Sequence, residues 1–98
     1  MKKGYWVVAY RSVSDELKLQ EYGKLAGPAI QASGGKVLVR TADAIEPLEA
    51  GLKQRTVVIE FESFEKAVAT YHSAAYKVAL ETLGSAVERD FRIVEGVS

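Results

Sequence analysis

The sequence contains no cysteine and a single histidine, His72. Without thiols there is no disulfide framework, no sulfur nucleophile and no cysteine-based zinc or iron–sulfur site, and one imidazole cannot build a multi-histidine metal centre. No metal and no cofactor is therefore expected. Charge of one sign is also lacking. Thirteen basic residues balance thirteen acidic ones, so no long-range field draws in DNA, RNA or an anionic membrane surface. The basic residues occur as scattered pairs, such as Lys2 with Lys3 and Arg89 with Arg92, and form no stripe. The apolar run that opens the chain, Tyr5 to Tyr10, is cut by Arg11, far short of a signal-peptide core or a membrane span. A cytoplasmic protein with neither nucleic acid nor membrane as partner is expected.

Motifs of familiar chemistry are missing as well. There is no phosphate loop, dinucleotide fingerprint, nucleophile elbow or paired-histidine metal helix. Gly34-Gly35 ends a helix and precedes a strand, the reverse of a phosphate cradle. No residue pattern assigns a reaction, so whether the chain is an enzyme is left open at this level.

What is present is the composition of one ordinary globular domain: 98 residues, 48% hydrophobic and 27% charged. Residues 5 to 10 read as a first strand with both faces apolar. Ser14 before Asp15-Glu16 reads as the N-cap of a helix whose stripe is Tyr22, Leu25, Ala26, Ala29 and Ile30. Gly27-Pro28 predicts a kink or restart in that helix, and Gly34-Gly35 its stop. A second strand follows at 36 to 40, then a long connection from Thr41 to Arg55 containing Asp43, Pro47 and Gly51. Residues 56 to 62 are a strongly β-branched third strand. Ser63 caps a second helix, Ser73 caps its continuation, Gly84 ends it, and residues 90 to 95 form the last strand. The order β-α-β-β-α-β predicts an α+β, ferredoxin-like domain with an antiparallel four-stranded sheet and the helices on one face.

Helices cover only one side of such a sheet, yet both central strands carry apolar residues on both sides. The row Val57, Ile59 and Phe61 is the more apolar and is assigned to the helices. This leaves Thr56, Val58 and Glu60 on the open face, joined there by Leu38 and Arg40 from strand two. A homodimer formed by pairing two open faces is the expected solution.

The residues also resemble a known family. Gly4-Tyr5-Trp6, Gly34-Gly35, Val58-Ile59-Glu60-Phe61 with Ser63-Phe64, the run Tyr71-His72-Ser73-Ala74-Ala75-Tyr76, and Val94-Glu95-Gly96 are similar to a bacterial domain-of-unknown-function family of the dimeric α/β barrel superfamily. The chain departs from that pattern at Thr70, at Glu49-Ala50-Gly51 and at Leu83. The resemblance implies a homodimer with facing sheets and no particular reaction. The superfamily includes cofactor-free oxygenases, isomerases, haem-degrading enzymes and plain ligand-binding modules.

Six residues are candidates for a ligand site. Arg40 and Glu60 are charges assigned to the open, largely apolar face, where a lone charge is costly and so must pair or serve a ligand. Tyr22, Tyr71 and Tyr76 lie on helical core stripes, each with a hydroxyl that needs a partner if buried. His72, the one imidazole, falls at a helix interruption, where it also reads as a surface residue at a helix C-terminus. Two functions fit: a dimer binding a small organic metabolite as a cofactor-free isomerase, lyase or monooxygenase, and an assembly module without chemistry. A cavity lined by these residues would separate them.

Overall fold

A computed structural model describes residues 2–98. The elements are β1 (Gly4–Val13), α1 (Glu16–Ala32), β2 (Lys36–Thr41), β3 (Thr56–Phe61), α2 (Phe64–Tyr71), α3 (Ala74–Leu83) and β4 (Val87–Glu95). All strand pairs are antiparallel, in the order β2-β3-β1-β4. The first and third strands are thus central, as the β-α-β-β-α-β order requires.

β1 and β4 are longer than their apolar alternation suggested. They pair from Gly4↔Glu95 to Val13↔Val87, passing a register shift between Tyr10 and Ser12. The ladder is built from backbone groups, so charged residues continue it wherever their side chains reach a partner or water. Arg11, for instance, meets Asp90 at 3.3 Å.

Local signals place the helices with three corrections. Asp15 caps α1, not Ser14: its carboxylate accepts from the Lys18 N–H at 3.1 Å. The Ser14 hydroxyl instead donates to the Ala86 carbonyl at 3.1 Å, tying the end of β1 to the start of β4. α1 also runs unbroken through Pro28. Pro28 and Lys24, whose carbonyl loses its donor, are both exposed, so the lost bond falls on the solvent side of the helix, where it is least costly. Leu25 is exposed, which narrows the buried stripe of α1 to Tyr22, Ala26, Ala29 and Ile30. Ser63 and Ser73 cap α2 and α3 through their hydroxyls, and His72 closes α2.

The core gathers around Trp6, which is 1% exposed. The rings of Phe61, Tyr71, Tyr76 and Phe91 all lie within 6.1 Å of it, centroid to centroid. Its indole N–H donates to the Ala67 carbonyl of α2 at 2.8 Å, so sheet and helix are joined by a directed bond as well as by area. Gly4 permits that approach: a Cβ there would fall 2.3 Å from the Ser63 carbonyl oxygen.

Register corrects the sequence reading of β2. Lys36 pairs with Glu60 and Val37 with Ile59, but Val39 pairs with Val58 and Arg40 with Val57. Leu38 is therefore the extra residue of a bulge. Because one inserted residue exchanges the two faces beyond it, Val39 joins the open face, while Arg40 shares the helix-facing side with Val57.

Candidate functional site: a basic cavity between helix and sheet

α1 does not fill the space above β2 and β3. It turns Gly23, Ala26 and Gly27 toward the sheet there, and a Cβ added at either glycine would meet nothing within 4 Å. The absent side chains leave a cavity of about 310 Å³, large enough for a small metabolite.

Register gives this cavity two ends. Trp6 pairs with Ile59, which pairs with Val37, and these three form an apolar end with Ile30 and Ala26. Toward the other end, Tyr10 pairs with Arg89 on one side and donates its backbone N–H to the Arg55 carbonyl at 3.0 Å on the other. Arg55, Tyr10 and Arg89 therefore lie abreast across three strands, with Arg40 nearby beside Val57. Three guanidinium groups thus line one small space, and among the described residues no carboxylate lines it with them.

Aromatic faces hold two of the three cations, Arg55 and Arg89. The Arg89 guanidinium carbon lies 5.0 Å from the Phe91 ring centroid and 5.2 Å from that of Tyr22, and Arg55 lies 5.6 Å from that of Tyr10. Arg89 Nη1 also donates to the Tyr22 hydroxyl at 3.2 Å, and that hydroxyl is hydrogen-bonded to Tyr76. Burial acts to lower the Arg89 pKa and the neighbouring Tyr22 and Tyr76 phenols act to raise it, with a net rise. Burial, and then the neighbouring Tyr22, push the Tyr76 phenol well above its usual range, so it stays neutral. Arg55 Nε is buried and makes no hydrogen bond within the chain, and neither does Gln54 Oε1. Tyr10 and Arg55 also border a second hollow of about 380 Å³, which Glu16, Lys53 and Gln54 help to line.

The six sequence candidates separate on this geometry. Tyr22 and Arg40 line the cavity. Tyr76 lies behind it, fully buried and bonded to Tyr22. Tyr71 packs on Trp6 and Phe91 in the core, and His72 is exposed with its ring edge against Tyr71, outside the cavity wall. Glu60 is on the opposite side of the sheet from Arg40, so their expected association does not form, the β2 bulge being the reason. The partner of Glu60 is the cross-strand Tyr5, whose hydroxyl donates to it at 3.0 Å. That hydrogen bond, then burial, then the Glu60 charge raise the Tyr5 pKa. Arg92 pairs with Asp90 at 3.2 Å.

Arg55, Arg89 and Tyr10 were missed by sequence reasoning, although parity carried the signal. Arg55 has the parity of Val57, Ile59 and Phe61, and Arg89 that of Phe91 and Ile93. Extending each strand by one residue at its start puts both cations on the core-facing row. Among the described residues, no three His, Asp or Glu side chains gather as metal ligands would, and no helix is long and apolar enough to cross a membrane.

Solved structures share this architecture. A protein of unknown function from Rhodopseudomonas palustris superposes with a TM-score of 0.72 at 16% identity, over 99% of this chain and 83% of that one. A candidate antibiotic biosynthesis monooxygenase from Nitrosomonas europaea gives 0.58 at 19% identity, over 98% and 99%. A second such protein, from Caulobacter crescentus CB15, gives 0.59 at 14%, over 99% and 91%. At these identities the likeness is one of fold. No curated protein matches the chain in sequence. The family match spans almost every residue, from 3 to 97, and by it the chain belongs to the family described as Domain of unknown function (DUF1330).

Proposed function

We propose that this chain binds a small organic anion with an apolar body in the cavity between α1 and the sheet. The observation that carries this reading is the convergence of Arg40, Arg55 and Arg89 on a space floored by Trp6, Ile59 and Phe91, with no lining carboxylate among the described residues. Uncompensated cations in a partly desolvated pocket cost free energy, and a bound carboxylate, enolate or phenolate offsets that cost. An assembly module has no need of such an arrangement. The Nitrosomonas and Caulobacter proteins are named as candidate antibiotic biosynthesis monooxygenases, and cofactor-free monooxygenase, isomerase or lyase chemistry on an organic anion suits this pocket.

Matched probes test the reading. In thermal-shift and calorimetric titrations, benzoate and 2-naphthoate are expected to stabilise the protein, whereas the corresponding carboxamides and amines leave it unchanged. A ligand at one hundred times its Kd stabilises by ~2.7 kcal/mol, which moves the Tm of a domain this size by roughly 10–20 °C. Equal responses to carboxylates and amides would refute the anion reading.

The same proposal includes a homodimer. Val7, Val39 and Val94 stand about two-fifths exposed on the open sheet face, beside Val58 and the Tyr5–Glu60 pair. A second copy of this face covers them at no cost in new sequence. Light scattering at micromolar concentration is expected to give twice the chain mass of 10.7 kDa, and Val58→Lys to halve it. A monomeric wild type would remove the dimer from the proposal without touching the cavity.

A further inference from the structure

The hydrogen-bonding capacity of Tyr22 decides where its proton points. A phenol has one donor and two acceptor sites. Arginine has only donors, so in the 3.2 Å contact Arg89 gives and Tyr22 receives. In the Tyr22–Tyr76 contact either oxygen could be the donor. Burial resolves this. Tyr76 is 0% exposed, and among the described residues Tyr22 is the only acceptor within hydrogen-bonding reach of its hydroxyl. If Tyr22 gave its proton to Tyr76, the Tyr76 proton would be buried with no acceptor, which costs more than a hydrogen bond gains. The Tyr76 proton therefore goes to Tyr22. Both acceptor sites of Tyr22 are then filled, and its own O–H has no acceptor among the described residues, while Tyr22 itself lines the cavity.

A second donor without a partner belongs to another lining residue, Arg55. Arg55 Nε is buried without a partner, on β3's side of Tyr10, whereas Tyr22 is held by Arg89 on β4's side. β1 lies between β3 and β4, so the backbones of Arg55 and Arg89 stand two strand spacings of ~4.8 Å apart on either flank of Tyr10, wider than the two oxygens of one carboxylate.

We infer that Tyr22 donates its free proton to a second, uncharged oxygen of the ligand, and that the ligand is accordingly an oxo acid: a carboxylate for the arginines, a carbonyl oxygen for Tyr22, and an apolar body for the Trp6 end. This rests on the anion reading above and narrows it from organic anions in general to those bearing a second acceptor. The apolar end accommodates an aryl or branched alkyl group.

Two probes of equal charge and similar shape test the inference: phenylpyruvate, which has the 2-oxo group, and 3-phenylpropanoate, which lacks it. Calorimetry on the wild type is expected to show phenylpyruvate binding about five- to tenfold more tightly, the yield of one hydrogen bond. Tyr22→Phe is expected to bring the ratio to about one while 3-phenylpropanoate still binds. Since Tyr22→Phe also strands the Tyr76 proton, the double variant Tyr22→Phe/Tyr76→Phe, which removes both partners together, supplies the same measurement if the single variant folds poorly. A ratio that survives both substitutions overturns the inference and leaves the anion reading standing. A rise in the ratio on Tyr76→Phe also overturns it, because it would mean that Tyr22 had been donating to Tyr76. If neither acid binds the wild type, the anion reading fails and this inference with it.

Discussion

Trp6→Ala is expected to abolish most of the stability of the fold. Truncating a buried tryptophan costs ~3–5 kcal/mol in lost burial and residual cavity, and the lost N–H bond to Ala67 adds about 1 kcal/mol. The total stability of a domain this size is roughly 5–15 kcal/mol, so the variant is left marginal or unfolded. Four aromatic rings surround the indole, Tyr71 and Phe91 edge-on and Phe61 and Tyr76 tilted, and they cannot collapse into the void without giving up that packing. Trp6→Phe keeps a ring in that stack and loses the hydrogen bond, so a smaller cost is expected. Urea denaturation followed by circular dichroism measures both, since Trp6 is the only tryptophan and its fluorescence disappears with it. An alanine variant that lost less than about 2 kcal/mol would show that the indole is not the centre of this core.

Arg55→Met is expected to separate stability from binding. Methionine has nearly the reach of arginine and no charge to desolvate, and the Arg55 Nε it removes makes no hydrogen bond in the unliganded chain. The melting temperature should therefore hold or rise, since burying a charge without its partner is unfavourable. Binding of benzoate, by contrast, should weaken by roughly 10- to 100-fold, the loss of a charge-assisted hydrogen bond of about 1.5–3 kcal/mol. Lys53→Met, two residues away and not in the cavity lining, is the control and should change neither quantity. If Arg55→Met bound benzoate as the wild type does, the three-arginine cavity would not be the anion site. A destabilised Arg55→Met with intact binding would identify Arg55 as a structural residue braced on the Tyr10 ring.

Much of the fold was legible because the information is local. Alternation in residues 56 to 61, helical spacing from Tyr22 to Ile30, capping serines at 63 and 73, and Gly34 at φ +80° act within a few residues of themselves. Their order then admits very few arrangements, so the antiparallel sheet with its helices on one side followed. Where local signals compete, sequence reasoning chose wrongly. Ser14 and Asp15 both suit a cap, and only the pull of the Ala86 carbonyl on Ser14 decides between them.

The candidate site was much less legible, because it depends on register and on empty space. Arg40 changes face through one unpaired residue, Leu38, and nothing in the alternation of Lys36 to Thr41 marks a bulge there. Arg55 and Arg89 are far apart in the chain and lie abreast only because both β3 and β4 pair with β1. By itself, the sequence determined which segments become strands and helices and which rows are apolar, since backbone preference and hydrophobic burial are properties of short stretches. Only the tertiary structure decided that three arginines and Tyr22 surround one cavity, because charges gather there through strand register and through the space that Gly23 and Gly27 leave beneath α1.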